Sequence, residues 1–469
     1  MGENTDFKVE TSKLSKKIKE NGYDKAILEA ADKIHAKNQV VGLDYTVKGF
    51  YKETLYALSL AVTEIMGDFF MTSKKGTSGD IVPKLISINL PNGEEVRVPL
   101  GKIPLPQSGP ECFIESWYDE EENELIITAK VKQSGENDIK KIVDLTKKLI
   151  QEQSIYKGRA LTLDFNDSGY TYDPDFLDLS SVNPDKILYS KKILDGLVPI
   201  LARIKHKDAC IEQNLDLKLG VLMEGPYGTG KTLTAFNIAN IAIQNNWTFF
   251  YVKNCKYISQ TLKIAENYAR NGDGVVIFTE DIDQILKGER GQTIQDVVNT
   301  LDGGENKNLP IISIFTTNHI EVIEPTFLRG KRIGSLISFE MLDQDTATQF
   351  INKLVVDKND KSLMVEGDIS LAVDALCGIA PAFASEIIDK AKAFMIERGD
   401  GKITQEDIVI SANSYKAQME YAVCRKIEEN SIEASLKTIF KALSDDNESL
   451  SFKFVSRLAE RVGFKMDEN

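Results

Sequence analysis

From Ser12 to about Ala36, charged residues interleave with Leu14, Ile18, Tyr23, Ile27, Leu28 and Ala31, a spacing that predicts an amphipathic helix. Gly49 to Met66 predicts a second, more apolar helix. The period then changes. Lys84 to Leu90 and Glu94 to Leu100 flank Pro91-Asn92-Gly93 and predict a hairpin, and Cys112 to Trp117 with Glu124 to Lys132 predict another around the acidic run Asp119 to Glu122. Asp138 to Gln153 returns to helical spacing. Residues 1–155 therefore read as an α+β N-terminal domain. Residues 156–186, rich in Asp, Ser, Pro and aromatics with Asp173-Pro174-Asp175 and Asn183-Pro184 as turn signals, read as a linker.

Over residues 187–342, apolar strands alternate with helical patterns, the arrangement of an α/β domain built on a parallel sheet. Residues 343–413 are predominantly helical, and residues 414–469 read as a charged, helical C-terminal extension.

Composition narrows the classes. A chain of 469 residues, 42% hydrophobic and 27% charged, is long enough for several domains, each with its own core. Its longest apolar helical stretch, Leu55 to Met66, is interrupted by Ser59, Thr63 and Glu64 and falls short of the roughly 20 residues of a membrane span, so no membrane anchor is expected. The opening MGENTDFKVE carries no basic n-region or apolar h-region. Five singly spaced cysteines read as reduced thiols, and a cytoplasmic location is expected. A net charge of −14 disfavours a sequence-independent grip on nucleic acid, which draws on clustered Lys and Arg.

The chemistry concentrates after residue 220. Gly220 to Glu224 reads as a short apolar strand; Gly225-Pro226-Tyr227-Gly228-Thr229-Gly230-Lys231-Thr232 follows, and Leu233 to Ile243 continues with helical spacing. This is GxxxxGKT between a strand and a helix, a phosphate-binding loop. Its glycines let successive backbone N–H groups converge on phosphate oxygens, and the helix that follows presents its positive end to the same anion. Lys231 is expected to reach the β and γ phosphates of a nucleotide, and the Thr232 hydroxyl to bind Mg²⁺. Some 50 residues on, Val275-Val276-Ile277-Phe278 runs into Thr279-Glu280-Asp281-Ile282-Asp283, where acids at a strand end suit a Mg²⁺ shell and the polarising of water.

Together these segments resemble the AAA family within the AAA+ ATPases, over nearly half the chain. GPYGTGKTLTA is similar to the family's Walker A segment and VVIFTEDID to its Walker B. Val298 to Gly303 resembles the helix ending in Leu-Asp-Gly, and Ile311 to Asn318 the strand that delivers the sensor-1 residue, here Asn318. Pro325 to Arg332 aligns with the segment carrying arginine fingers, which gives that role to Arg329 and Arg332; a guanidinium keeps its charge and spreads planar donors over several phosphate oxygens. Gly378-Ile379-Ala380-Pro381-Ala382-Phe383 resembles the lid segment that meets the adenosine end of ATP, placing Gly378 and Ala382 beside the nucleotide. The resemblance implies a P-loop NTPase sheet with a helical lid, fingers that reach a neighbouring subunit's nucleotide, and hence an oligomer, commonly a hexamer.

The chain departs from the family at several places. The Walker B acids run Glu280 then Asp281 where the family has Asp then Glu, each carboxylate displaced by about one methylene, and ångström-scale misplacement slows catalysis. Ile333-Gly334-Ser335 stands for Phe-Asp-Arg, and Pro381 where Gly is usual. The stretch after Phe249 to Val252 is short, leaving Lys256-Tyr257-Ile258 as the candidate for an aromatic pore loop that grips substrate. The only histidines are His35, His206 and His319, and no HExxH zinc motif occurs. The expected function is ATP-driven remodelling or unfolding of a protein client by a ring. Two alternatives stay open: a nucleic-acid loader or remodeller, and a slowly hydrolysing ATP-dependent switch or assembly scaffold.

Overall fold

The computed structural model describes residues 38–67, 84–105, 112–171, 173–184, 187–270, 272–283, 308–323, 328, 332–356, 361–365 and 367–418. The helix expected over Ser12 to Ala36, the segment Val298 to Gly303, Arg329 and residues 419–469 lie outside them.

In the N-terminal region, β1 (Val40–Lys48), α1 (Tyr51–Met66), the hairpin β2 (Lys84–Asn89) and β3 (Glu95–Leu100), then β4 (Lys102–Pro104), β5 (Phe113–Asp119), β6 (Glu124–Lys132) and α2 (Glu136–Glu152) follow in order. Strands β1-β6-β5-β4 pair antiparallel in that spatial order. Strict alternation along β6 buries Leu125, Ile127, Ala129 and Val131, the pattern of a sheet packed on one face. Leu58, Ala61 and Val62 of α1 and Ile139, Ile142 and Val143 of α2 share their core. Both expected hairpins form, and the first turns at Gly93, whose φ of 81° suits the residue without a Cβ.

A seven-stranded sheet follows, built from β7 (Ala160–Leu163), β8 (Asp175–Phe176), β9 (Leu219–Glu224), β10 (Thr248–Val252), β11 (Val275–Thr279), β12 (Ile311–Thr317) and β13 (Ser335–Ser338). The spatial order is β13-β9-β12-β11-β10-β7-β8, parallel except for β8. Its central strands are buried on both faces and are therefore near-continuously apolar; every residue of β11 and β12 is buried. Helices α3 (Lys191–Lys205), α4 (Lys207–Glu212), α5 (Lys231–Gln244) and α6 (Ile258–Arg270) connect it, the crossovers that parallel strands require.

Two expectations change here. Residues 156–186, read as a linker, supply β7 and β8; Ala160 to Leu163 pairs in register with Phe249 to Val252. A four-residue run carries too little periodicity to stand out among Asp, Ser and aromatics, although its backbone is satisfied by the neighbouring strand. The N-terminal region is also not bounded by a break in packing near residue 155. Phe50, Ile88 and Val98 belong to the same core as Leu161, Phe250 and Ile277, and the Phe50 ring meets Tyr156 edge-on at 5.5 Å.

A separate unit comprises α7 (Gln344–Leu354), α8 (Ser370–Leu376), α9 (Pro381–Arg398) and α10 (405–418) around Phe350, Ile351, Leu376, Ile388 and Ile408, together with loop residues 226–230. Asp343 and Thr346 cap the N-terminus of α7 with a capping box. Pro381 opens α9 at its first turn, where a missing N–H leaves no helical bond unmade. Among the described residues no helix is long and apolar enough to cross a membrane.

Candidate functional site

Parallel pairing aligns the carboxyl ends of β9, β12 and β11: Glu224 pairs with Thr317, and Phe315 with Thr279. The residues that leave these ends are Gly225, Asn318 and Glu280-Asp281. The carboxyl edge of a parallel sheet is where such folds place ligands.

A connected polar set spans that edge. Lys231 is buried, and its Nζ donates to the Gly225 carbonyl at 2.6 Å and to Asn318 Oδ1 at 2.8 Å. Asn318 Nδ2 donates in turn to Asp281 Oδ1 at 2.9 Å. The Thr232 hydroxyl donates to Glu280 Oε1, and the Tyr251 hydroxyl to Glu280 Oε2 at 2.8 Å. Burial lowers the pKa of Lys231, against the opposing pull of Asp281, Glu224 and Glu280. Burial raises that of Tyr251, and the Glu280 carboxylate adds to it, so the hydroxyl stays protonated and donates.

Consecutive residues of an extended strand point to opposite faces, yet Glu280 and Asp281 serve one constellation. The backbone resolves this: Asp281 has φ 49°, in the left-handed region that Asp tolerates better than most residues. Its N–H donates to the Thr316 hydroxyl at 3.2 Å, and the N–H of Ile282 to the Thr316 carbonyl at 2.9 Å, which holds the turn. Just below, the Thr317 hydroxyl donates to the buried Asp283 carboxylate at 3.0 Å.

The loop before Lys231 requires its glycines. A Cβ on Gly225 would lie 2.2 Å from the Phe339 carbonyl oxygen, so that approach admits only glycine. Within the helical unit, the Ala382 N–H donates to the Gly228 carbonyl at 3.0 Å, which ties the start of α9 to loop residues 226–230. Pro226 and Thr229 close the loop on itself through a 2.8 Å bond from the Thr229 hydroxyl to the Pro226 carbonyl, while Tyr227 and Leu233 are exposed. This donor set fits a polyphosphate with a small hard cation. Glycine-lined backbone and an ammonium would meet the anion, and a threonine hydroxyl beside a carboxylate matches the few oxygen ligands that Mg²⁺ takes from protein.

Arg332 lies elsewhere. Its carbonyl runs so close over Gly220 that a Cβ there would sit 1.8 Å from it, and the Gly334 N–H donates to the Gly220 carbonyl at 2.9 Å. Arg332 is therefore at the amino end of β9, opposite the phosphate loop. The expected aromatic pore loop is corrected by burial. Tyr257 is 6% exposed and Ile258 fully buried; the Tyr257 ring stacks on Phe165 at 4.8 Å, and its hydroxyl donates to the Asn166 carbonyl at 2.8 Å. The stretch read as linker covers it, and only Lys256 of the three faces solvent.

Tyr251 escaped the sequence reading. Its signal is a hydroxyl near the end of an otherwise apolar strand, one residue before Val252. Tyr251 pairs with Phe278, and Glu280 follows two positions on, so the tyrosine lies diagonal to that acid.

Residues 221–341 match the model of the ATPase family associated with various cellular activities (AAA). The chain is 28% identical to cell division control protein 48 homolog C of Arabidopsis thaliana over 45% of its own length and 27% of that protein. It is 27% identical to 26S proteasome regulatory subunit 8 of Caenorhabditis elegans over 44% of its length and 51% of that protein. It is 24% identical to the ATP-dependent zinc metalloprotease FtsH of Helicobacter felis over 46% of its length and 35% of that protein. The chain thus spans only a quarter to a half of the length of these curated relatives.

Proposed function

We propose, from the premise that residues 221–341 form a domain of the AAA family, that this chain binds ATP with Mg²⁺, hydrolyses it at subunit boundaries of a ring, commonly of six, and uses the resulting motion to remodel a protein client. The observation that carries the reading is the connected set Lys231–Asn318–Asp281 with Thr232–Glu280 at one sheet edge. The phosphate loop and Lys231 hold the β and γ phosphates. Thr232 and Glu280 hold Mg²⁺, which when bound neutralises phosphate charge. Asp281 accepts the proton of the attacking water, and Asn318 holds both Asp281 and that water in line.

The subunit-boundary element has a geometric basis. At roughly 3.3 Å per residue, the run from Gly220 to Gly225 separates Arg332 from its own phosphate loop by about 16 Å, more than an arginine side chain spans. Arg332, with Arg329, then serves a neighbour's nucleotide. Relatives named as a proteasome regulatory subunit and a metalloprotease, and the net charge of −14, favour a protein over a nucleic acid as client.

The test is ATP turnover against protein concentration for the wild type, Lys231→Ala and Arg332→Ala, alone and mixed, with size measured in parallel. Turnover should rise with assembly, vanish in each variant and partly return on mixing, because a mixed ring contains intact boundaries. Failure of the mixture to recover, with active monomers, would sink the boundary assignment. Tight ATP binding and assembly without turnover in the wild type would leave the nucleotide-controlled scaffold.

A further inference from the structure

We propose that Tyr251 is a positioning residue that fixes the Glu280 carboxylate for the metal, and that it compensates for the longer acid at this position. This rests on the reading of Glu280 as the acid of the Mg²⁺ shell.

Glu280 stands where the family pattern has Asp, so one more rotatable bond separates its carboxylate from the backbone. A carboxylate so extended has more rotamers to lose before it can meet a cation beside Thr232. The structure holds it at both oxygens, Oε1 by the Thr232 hydroxyl and Oε2 by Tyr251 at 2.8 Å. A phenol donates to a carboxylate along a lone-pair direction, so this bond fixes where Oε2 points and leaves the carboxylate one orientation beside Thr232.

Tyr251 is itself held. Its ring stacks on Phe278 at 5.5 Å with 21° between the planes, and Phe236 meets it edge-on at 5.6 Å. Phe236 belongs to α5, which begins at Lys231, and Phe278 to β11, which delivers Glu280. The aromatic trio thus ties the tyrosine to both elements that carry the site, and the hydroxyl is aimed by packing. Partners that orient a metal-binding carboxylate in this way typically contribute tenfold or more to metal affinity.

Tyr251→Phe keeps the ring and removes one oxygen. Affinity for a fluorescent ADP analogue is measured with Mg²⁺ and with EDTA, alongside melting temperature and the Mg²⁺ dependence of turnover. The gain in affinity that Mg²⁺ confers should fall roughly tenfold, with half-saturating Mg²⁺ for turnover raised to match. Affinity in EDTA should stay within about twofold, and the melting temperature should fall by no more than the loss of one partly exposed hydrogen bond costs. In a Glu280→Asp background the shorter acid no longer meets the phenol, so Tyr251→Phe should add little there, a coupling that a purely structural tyrosine lacks. The proposal is overturned if Tyr251→Phe weakens binding equally with and without Mg²⁺, or if the two substitutions are additive. Wild-type binding indifferent both to Mg²⁺ and to Lys231→Ala is a different outcome: it removes the nucleotide site itself, and the proposal with it.

Discussion

Two glutamates in this chain receive the same kinds of donor and end in different chemistry. Glu280 takes a threonine and a tyrosine hydroxyl, from Thr232 and Tyr251; Glu53 takes a serine and a tyrosine hydroxyl, from Ser154 and Tyr268. Glu280 follows a strand end, beside Thr232 and within the reach of Lys231's field. Glu53 is 2% exposed, on the helix that packs the N-terminal region against α6, and burial pushes its pKa up to about 7 despite both hydroxyls and Lys157. Lys157 is itself engaged by Asp273 at 2.7 Å. Donor type does not decide what a buried acid does. Access to a ligand does: in the proposed site Glu280 would meet one, while Glu53 lies buried between two packed regions.

The comparison breaks most sharply at Asp281, the acid proposed to activate water. Asp281→Asn keeps the size and the bond to Asn318 but removes the base, so turnover should fall a hundredfold or more while ATP binding persists. Retained turnover would move the base elsewhere and strip the left-handed turn at Asp281 of its assigned purpose.

Much of the α/β half was legible because its candidate chemistry is local in sequence. Gly225 to Thr232, Glu280-Asp281 and Asn318 each follow an apolar strand, and a parallel sheet brings strand ends together without further information. What was not legible depends on pairing between distant segments. Nothing local marks Ala160 to Leu163 as a sheet strand until Phe249 to Val252 lies beside it. The same stretch brings Phe165 over Tyr257 and turns an expected substrate grip into core. Tyr251 was missed for a related reason: its partner is 29 residues away, on the next strand. β1 was likewise passed over, since Val40 to Lys48 alternates across a glycine and two charges and pairs with a distant strand, Val40 with Lys132 and Lys48 with Glu124.

The next effect is one of stability. A carboxyl whose folded pKa is raised binds more protons folded than unfolded, so its contribution is fully present below about pH 4.5 and is lost as pH rises through about 7. The rise from 4.5 to about 7 corresponds to roughly 3 kcal/mol. Glu53→Gln should therefore gain stability relative to the wild type between pH 5 and pH 8, in urea unfolding followed at the two pH values. A difference that stays flat with pH would show that Glu53 is ionised throughout and that Lys157 outweighs burial.

The smallest expected effect separates the two tyrosines. Tyr268→Phe removes one of the donors to Glu53 and should destabilise by about 1–2 kcal/mol, without altering ATP turnover or its Mg²⁺ dependence. Tyr251→Phe should do the converse. The Tyr268 hydroxyl holds the Glu53 pKa down, because it bonds the ionised form better than the neutral one. Its removal should raise that pKa further, and the loss of stability should be larger at pH 8, where Glu53 is charged, than at pH 6. A loss equal at both values would mean that the bond serves both protonation states alike, and a larger loss at pH 6 that the protonated carboxyl donates to the phenol. A fall in turnover with unchanged stability would mean that the contact between the N-terminal region and α6 is coupled to the nucleotide site, and the division between a joining acid and a working one would no longer stand.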